Sequence, residues 1–243
     1  MEDIRAKEWF HEEALKAGFD GIFGVASFGQ VYLDLMDIQK TKLRSLCGDL
    51  FPRLKEKGSL VSIGIFHTRD AILSINHRRE GKVDKERWNI YSKEYSDVNR
   101  LLDKLTQGIA QCIGGIPIQA TLEGISNKVK HVNDYFPFVV SHRAVAVHAG
   151  LGWFGKNGLM VTKERGCAVR LASVIVPKEL EYGQKMSPQC GDCKACLEAC
   201  GYLKRKEELE DYREECRKQL NRLDLDHGGC GICLRACYER SIR

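Results

Sequence analysis

No stretch of this chain approaches the roughly 20 consecutive apolar residues that a membrane-spanning helix needs, so no membrane association is expected. The opening MEDIRAKEWFHEE carries charges throughout and holds no apolar core of signal-peptide length, which points to a cytoplasmic protein. Long-period repeats and low-complexity linkers are also missing. Cysteine is sparse over most of the length: only Cys47, Cys112 and Cys167 fall in the first 189 residues. A chain of 243 residues buries enough apolar surface to fold without covalent staples. With 43% hydrophobic and 29% charged residues, disorder, collagen and a simple coiled coil are excluded.

Cysteine abounds at the other end. Eight of the 11 lie between Cys190 and Cys237. A disulfide scaffold belongs to exported proteins, so these thiols read as metal ligands. The formal charge of +5 counts cysteine as neutral. Eight thiolates around two cubane cores would bring the holoprotein to about +1, so a polyanion partner is not implied by charge alone.

Hydrophobic spacing predicts an amphipathic helix over 1–18, with Ile4, Trp9, Phe10, Ala14 and Leu15 on one face and Gly18 as its stop. A buried strand follows at 19–26, and helical spacing resumes over 30–46. The β-branched run 59–66 predicts a second strand. A long helix is expected from about Asp84 to Cys112, then strands at 116–122, 157–162 and 168–176, the last two separated by a turn at Arg165–Gly166. Strands alternating with helices indicate an α/β layer fold. Composition turns polar and cysteine-rich near Lys178. The expected organisation is an α/β domain over 1–180, holding cofactor and substrate, and a small module over 181–243.

The first cysteine block is Cys190-x2-Cys193-x2-Cys196-x3-Cys200, the bacterial ferredoxin spacing. Two-residue gaps let a tight loop wrap one corner of a four-iron cube, and the three-residue step carries the next thiolate away. The second block, Cys230-x2-Cys233-x3-Cys237, is one cysteine short, and Cys216 can supply it. Crossed ligation then gives one [4Fe–4S] cluster to Cys190, Cys193, Cys196 and Cys237. The other falls to Cys200, Cys216, Cys230 and Cys233. Structural zinc also accepts four thiolates and paired C-x2-C knuckles, but has little use for three cysteines in a C-x2-C-x2-C row. Cys216, alone in a charged helical segment, also reads as a free thiol. The proline that usually follows the last cysteine of each block is replaced by Gly201 and Tyr238. Cys47, Cys112 and Cys167 read as small buried hydrophobes.

Residues 148–160 (HAGLGWFGKNGLM) form a glycine-rich segment whose backbone can approach a ligand closely. Gly150, Gly152 and Gly155 match G-x-G-x-x-G, yet they follow a helical stretch rather than a strand, and no P-loop Gly-Lys-Ser/Thr is present. A histidine pair, His142 and His148, lies six apart on that stretch and cannot share a metal face. Arg143 and Arg170 could neutralise an anion or form ordinary ion pairs.

Over nearly the whole chain, the pairing of GLGWFGKN with a downstream eight-cysteine module resembles the epoxyqueuosine reductase family. Ala17-Gly18-Phe19-Asp20, the runs 23–26 and 59–66, and the isolated Cys216 resemble it as well. That family is similar in architecture to reductive dehalogenases. The resemblance implies a reductase or nitroreductase-like sandwich followed by a ferredoxin-like dicluster module. It implies two [4Fe–4S] clusters fed by an external low-potential electron donor, and cobalamin as the centre that cleaves the substrate bond. Asp134, in Asp134-Tyr135-Phe136-Pro137, resembles the family's proton donor; a capping or loop acid is the plainer reading. Gly150, Leu151, Gly152, Trp153, Gly155, Lys156 and Asn157 would pack on the corrinoid, with Lys156 meeting a side group and Trp153 stacking on its edge. An exposed lysine and a core tryptophan are the plainer readings of those two. Family members commonly continue into helical sequence that helps hold tRNA, whereas this sequence stops at Arg243. The expected substrate is therefore a small molecule or a modified nucleoside, with tRNA as the remaining candidate. An electron-transfer protein or corrinoid-reducing activator acting on a partner is the alternative, and an RNA-binding module with structural clusters is a third reading.

Overall fold

The computed structural model describes residues 2–121 and 129–242. In chain order the elements are α1 (Glu2–Lys16), β1 (Gly21–Ser27), α2 (Phe28–Asp34), α3 (Asp37–Cys47), α4 (Phe51–Lys57), β2 (Ser59–Phe66) and α5 (Arg69–Ser74). The short ribbon β3 (Arg78–Arg79) and β4 (Lys82–Val83) leads into α6 (Lys85–Ile113) and β5 (Ile116–Ile118). Next come α7 (His142–His148), the ribbon β6 (Trp153–Phe154) and β7 (Met160–Val161), and β8 (Val169–Val176). The cysteine-rich segment carries α8 (Ala195–Ala199), α9 (Gly201–Lys204), α10 (Tyr212–Leu223) and α11 (Ile232–Ser241).

The fold is α/β. Its central sheet has the order β1-β2-β8-β5, and every neighbouring pair is antiparallel. β2 is buried at all eight positions because both sheet faces are covered. Side chains of a strand alternate between faces. Val61, Ile63 and Ile65 therefore join Ala172, Val174 and Val176 on one face, under α1 and α6. Leu60 and Ile175 lie on the other, under α2, α3, α4 and α7. Each such aliphatic side chain contributes roughly 1.5–3 kcal/mol on burial.

Long helix α6 is delimited by its caps. The Asp84 carboxylate accepts from the Arg87 N–H at 3.0 Å, and Gly114 turns left-handed at φ +69°. Its middle and C-terminal turns give Val98, Leu102, Leu105 and Ile109 to the sheet. Its first turns give Trp88, Tyr91 and Tyr95 to a different core. There they meet Ile72 of α5 and Ile75 just after it, Trp153 and Val161 of the ribbon, and Leu234 and Tyr238 of α11. The cysteine-rich segment thus buries its apolar side chains jointly with the preceding chain. Polar keys reinforce the seam: Trp88 Nε1 donates to the Cys230 carbonyl at 2.9 Å, and Arg235 Nη1 to the Ile75 carbonyl at 2.6 Å.

Four local expectations differ from what forms. In α1 the buried line is Ala6, Phe10 and Ala14, while Ile4 and Leu15 are exposed. Those two lie off the i, i+4, i+8 row that meets the sheet. The helix expected over 30–46 is two helices, because Leu35 turns extended (φ −75°, ψ 152°) and buries its side chain. The strand expected over 157–162 shrinks to Met160–Val161. The strand expected over 116–122 is paired at Ile116–Ile118, and position 122 lies outside the described residues.

Candidate functional site

Four local devices present the cysteines. Gly191, at φ +47°, turns the chain after Cys190, and the Cys193 N–H closes the turn on the Cys190 carbonyl at 2.9 Å. Cys196 rides on α8, with Cys200 at its end. Asp211 caps α10, accepting from the N–H groups of Arg213 and Glu214, so that Cys216 sits in the helix's second turn. Gly231, at φ +76°, launches α11, which carries Cys233 and Cys237 four residues apart on one face.

Packing of α8 against α11 then brings the thiols into two groups. The Cys196 thiol is pushed up by burial and by the neighbouring Cys237, Cys190 and Cys193. Cys216 is pushed up to about 11 by burial and by Cys200. Cys230 rises to about 12 by burial, with Cys216 and Cys200 beside it. Cys233 rises by burial and by Cys230, Cys216 and Cys200, with Cys196 as its neighbour across the gap. One group is therefore Cys190, Cys193, Cys196 and Cys237, and the other Cys200, Cys216, Cys230 and Cys233. Among the described residues no three His, Cys, Asp or Glu side chains close tightly enough around a point to hold a single metal ion.

The first group opens on the surface, at a shallow depression lined by Asp192, Cys193, Lys194, Glu198 and Arg240. The second packs against the first turns of α6. Its glycines abut Tyr91 and Tyr95: an added Cβ would meet the Tyr91 ring at 3.2 Å from Gly229 and 2.8 Å from Gly231. Beneath these rings is a polar network that has no periodic signature in the sequence. His67 is buried, and its Nδ1 bonds Glu94 at 2.8 Å. Arg170 lies over the Tyr95 ring at 4.2 Å and donates to Asn99 at 3.0 Å and to the Thr121 carbonyl at 2.9 Å.

The glycine-rich segment lies against the cysteine segment. Trp153 Nε1 donates to Cys190 Sγ at 3.3 Å, Lys156 Nζ to the Gly191 carbonyl at 2.6 Å, and Asn157 Nδ2 to Cys167 Sγ at 3.3 Å. Its glycines admit the protein's own backbone: a Cβ on Gly152 would stand 2.1 Å from the Val161 carbonyl, and one on Gly150 2.6 Å from that of Gln184. A Cβ on Gly155 would meet Val161 and Asn157 at 2.6 and 2.9 Å. Leu151 packs into the sheet core. Cys167 is buried, as expected of a small hydrophobe, whereas Cys112 is exposed.

Asp134 ends a short 3-10 turn, Val132–Asp134, and is exposed. Its Oδ2 accepts from the His131 N–H at 2.9 Å, which is the capping geometry. This turn is clamped to α10. The Glu214 carboxylate accepts from the Val132 N–H at 2.8 Å and pairs with Arg217, which holds its pKa down at about 2; Arg217 also donates to the Val129 carbonyl at 3.2 Å. The clamp links the Asp134 turn to the helix that carries Cys216. Sequence reading missed it, although the i, i+3 Glu–Arg spacing in α10 was visible.

The same segment walls a cavity of about 610 Å³ that includes Leu46, Pro117, Phe138 and Val139 among its apolar residues and Lys42 and Asp103 among its polar ones. Burial raises the Asp103 carboxyl, and its Oδ1 accepts from the Ala120 N–H at 2.7 Å. His142, Arg143 and His148 are structural. His142 bridges Ser173 Oγ and the Gln119 carbonyl, each at 2.9 Å, and burial lowers its pKa to about 4. Arg143 donates to the Gly158 carbonyl, and His148 bonds Asp34 at 2.7 Å.

No family model matches the chain. It is 27% identical to the epoxyqueuosine reductase of Lactococcus garvieae over 78% of its own length and 54% of that enzyme's. The Listeria monocytogenes enzyme of the same name is 32% identical over 42% of this chain and 30% of its own. Among solved structures, Streptococcus thermophilus epoxyqueuosine reductase covers 96% of this chain and 66% of its own, with 20% identity and a TM-score of 0.49. An epoxyqueuosine reductase bound to an epoxyqueuosine-modified tRNA-Tyr stem loop covers 83% and 53%, with 20% identity and a TM-score of 0.48. The chain spans about half the length of the Lactococcus garvieae relative. It is similar in sequence to these epoxyqueuosine reductases.

Proposed function

We propose that this chain is an iron–sulfur oxidoreductase that passes electrons through two [4Fe–4S] clusters toward a corrinoid and reductively cleaves a bond in a modified nucleoside. The observation that carries the reading is the interleaving of the eight cysteines into two groups of four, with Cys237 beside the first block and Cys200 beside the second. All-thiolate sets of this kind are what four-iron clusters take.

The cysteine donor set fits two clusters. The first group, at the surface depression, would receive electrons from an external donor, and the second lies beside Tyr91 and Tyr95. The 610 Å³ cavity is of ligand-binding size. Its apolar wall would suit the face of a flat macrocycle. A corrinoid would supply the strongly reducing centre for the bond cleavage. The protein's own contribution is positional. The Glu214–Arg217 clamp sets the 129–134 turn against α10, and Asp134, whose Oδ2 is engaged by the cap, would be the proton donor. The substrate class proposed is that of the epoxyqueuosine reductases to which the chain is similar.

Anaerobic reconstitution, incubation with hydroxocobalamin and desalting test the proposal. Roughly eight irons and one cobalt per chain are expected, with a reduced-state EPR signal. Turnover of an epoxyqueuosine-containing stem loop, compared with the free nucleoside, then identifies the substrate. Eight irons without retained cobalt turn the reading toward an electron-transfer protein, and a chain that takes up no iron overturns it.

A further inference from the structure

Trp153 is the one residue of the glycine-rich loop whose polar atom reaches a cysteine of the first group. Its ring is buried among Val161, Ala168, Leu234 and Tyr238. Its only polar atom, Nε1, donates to Cys190 Sγ at 3.3 Å. The acceptor is held as well as the donor. Lys156 Nζ bonds the Gly191 carbonyl at 2.6 Å, fixing the peptide just past Cys190 where Gly191 takes φ +47°. The strand under the indole is held by close packing that only glycine allows, since a Cβ on Gly152 would stand 2.1 Å from the Val161 carbonyl.

An indole N–H is a donor with no acceptor capacity, and it keeps its proton at any physiological pH. A hydrogen bond to an ionised acceptor is strengthened as negative charge accumulates on that acceptor. Reduction adds one electron to a cluster and no proton to the indole, so the bond stabilises the reduced form more than the oxidised one. Hydrogen bonds to the sulfurs are among the features that set cluster potentials. The other buried indole near the cysteines, Trp88, gives its N–H to the Cys230 carbonyl and not to a sulfur, so the effect is confined to one group.

We propose that Trp153 raises the reduction potential of the cluster held by Cys190, Cys193, Cys196 and Cys237 through its N–H···S bond to Cys190, with Lys156 holding the acceptor loop in register. The glycine-rich signature then serves the electron-entry cluster. This inference rests on the iron–sulfur reading above. Trp153 is a positioning residue, because it acts through the cysteine and touches no substrate.

The test is an EPR-monitored redox titration of the reconstituted full chain, wild type against Trp153→Phe. Trp153→Phe is expected to keep its eight irons and to shift one midpoint negative, leaving the other unmoved. The expected size is up to about a tenfold fall in the reduced-to-oxidised ratio at fixed potential, 59 mV for a one-electron couple. Pulsed EPR after exchange into D2O should also lose one exchangeable-proton coupling in the variant. If the smaller ring strips iron, global replacement of tryptophan by 5-fluorotryptophan, a stronger N–H donor, should move the same midpoint upward. Unchanged midpoints at full iron content, or equal movement of both, overturn the assignment. A wild-type chain without iron refutes the underlying cluster reading instead.

Discussion

Replacing Trp88 by phenylalanine tests whether the cysteine-rich segment is keyed into the body of the fold. Trp88 is 1% exposed, and its N–H is the donor to the Cys230 carbonyl at 2.9 Å. Leaving a buried acceptor without its donor costs about 1–3 kcal/mol. The smaller ring adds a transfer and cavity penalty of about 1 kcal/mol. The expected loss is about 2–4 kcal/mol, taking both penalties together. In a chain of this size each kcal/mol lowers Tm by roughly 2–4 °C, so a fall of about 5–15 °C is expected. The assay is an anaerobic thermal melt of the holoprotein followed by circular dichroism, with iron counted before and after. Because Cys230 belongs to the second group, early iron loss should come from one cluster only. A Tm within about 2 °C of wild type, with both clusters intact, would refute the reasoning, since it would mean that the indole bond and the shared core contribute almost nothing.

Cys216→Ala should retain about half of the iron, since each cluster needs its four thiolates, and the remaining EPR signal should be that of the surface cluster; full iron content removes Cys216 from the ligand set. His142 gives a pH signature. Burial lowers its pKa from 6.5 to about 4, so the unfolded state binds this proton first as pH falls, and stability is lost progressively from about pH 6.5 down to 4. The contribution is roughly 3 kcal/mol, visible as a urea-midpoint slope over that window that is flatter in His142→Gln. His67, buried with its pKa also lowered by desolvation, adds to the slope in both proteins. Gly152→Ala should open the β6–β7 ribbon, because its new methyl meets backbone at 2.1 Å. A destabilisation of about 1–3 kcal/mol by denaturant titration is expected, and no change would mean the ribbon relaxes freely.

Much of the architecture was legible because the signals were local. The run 59–66 forms β2 over the same residues, since eight consecutive small and apolar side chains suit a strand buried on both faces. Helix α6 starts and stops within a residue of its predicted span because Asp84 and Gly114 are cap residues by their own chemistry. The face of α1 was read less well. Helical spacing admits several apolar stripes, and only the sheet's position selects Ala6, Phe10 and Ala14 over Ile4 and Leu15. The break at Leu35 is similar, because a buried leucine in extended backbone is paid for by contacts distant in sequence.

At the candidate site the same division holds. Two- and three-residue gaps between cysteines fix which thiols can lie on one turn, and glycines at 191 and 231 supply the left-handed corners that such turns need. Spacing cannot say what a glycine makes room for. The loop 150–158 was rich in glycine for a reason that only packing reveals: the neighbours it admits are Val161, Gln184 and the cysteine loop. Residue order determined the elements, the caps and the cysteine turns, all of which depend on neighbours a few positions apart. Tertiary structure alone decided that Trp153 meets Cys190, that Glu214 holds the turn bearing Asp134, and that α11 returns Cys237 to α8, because each joins atoms that only the folded chain brings within hydrogen-bonding or packing distance.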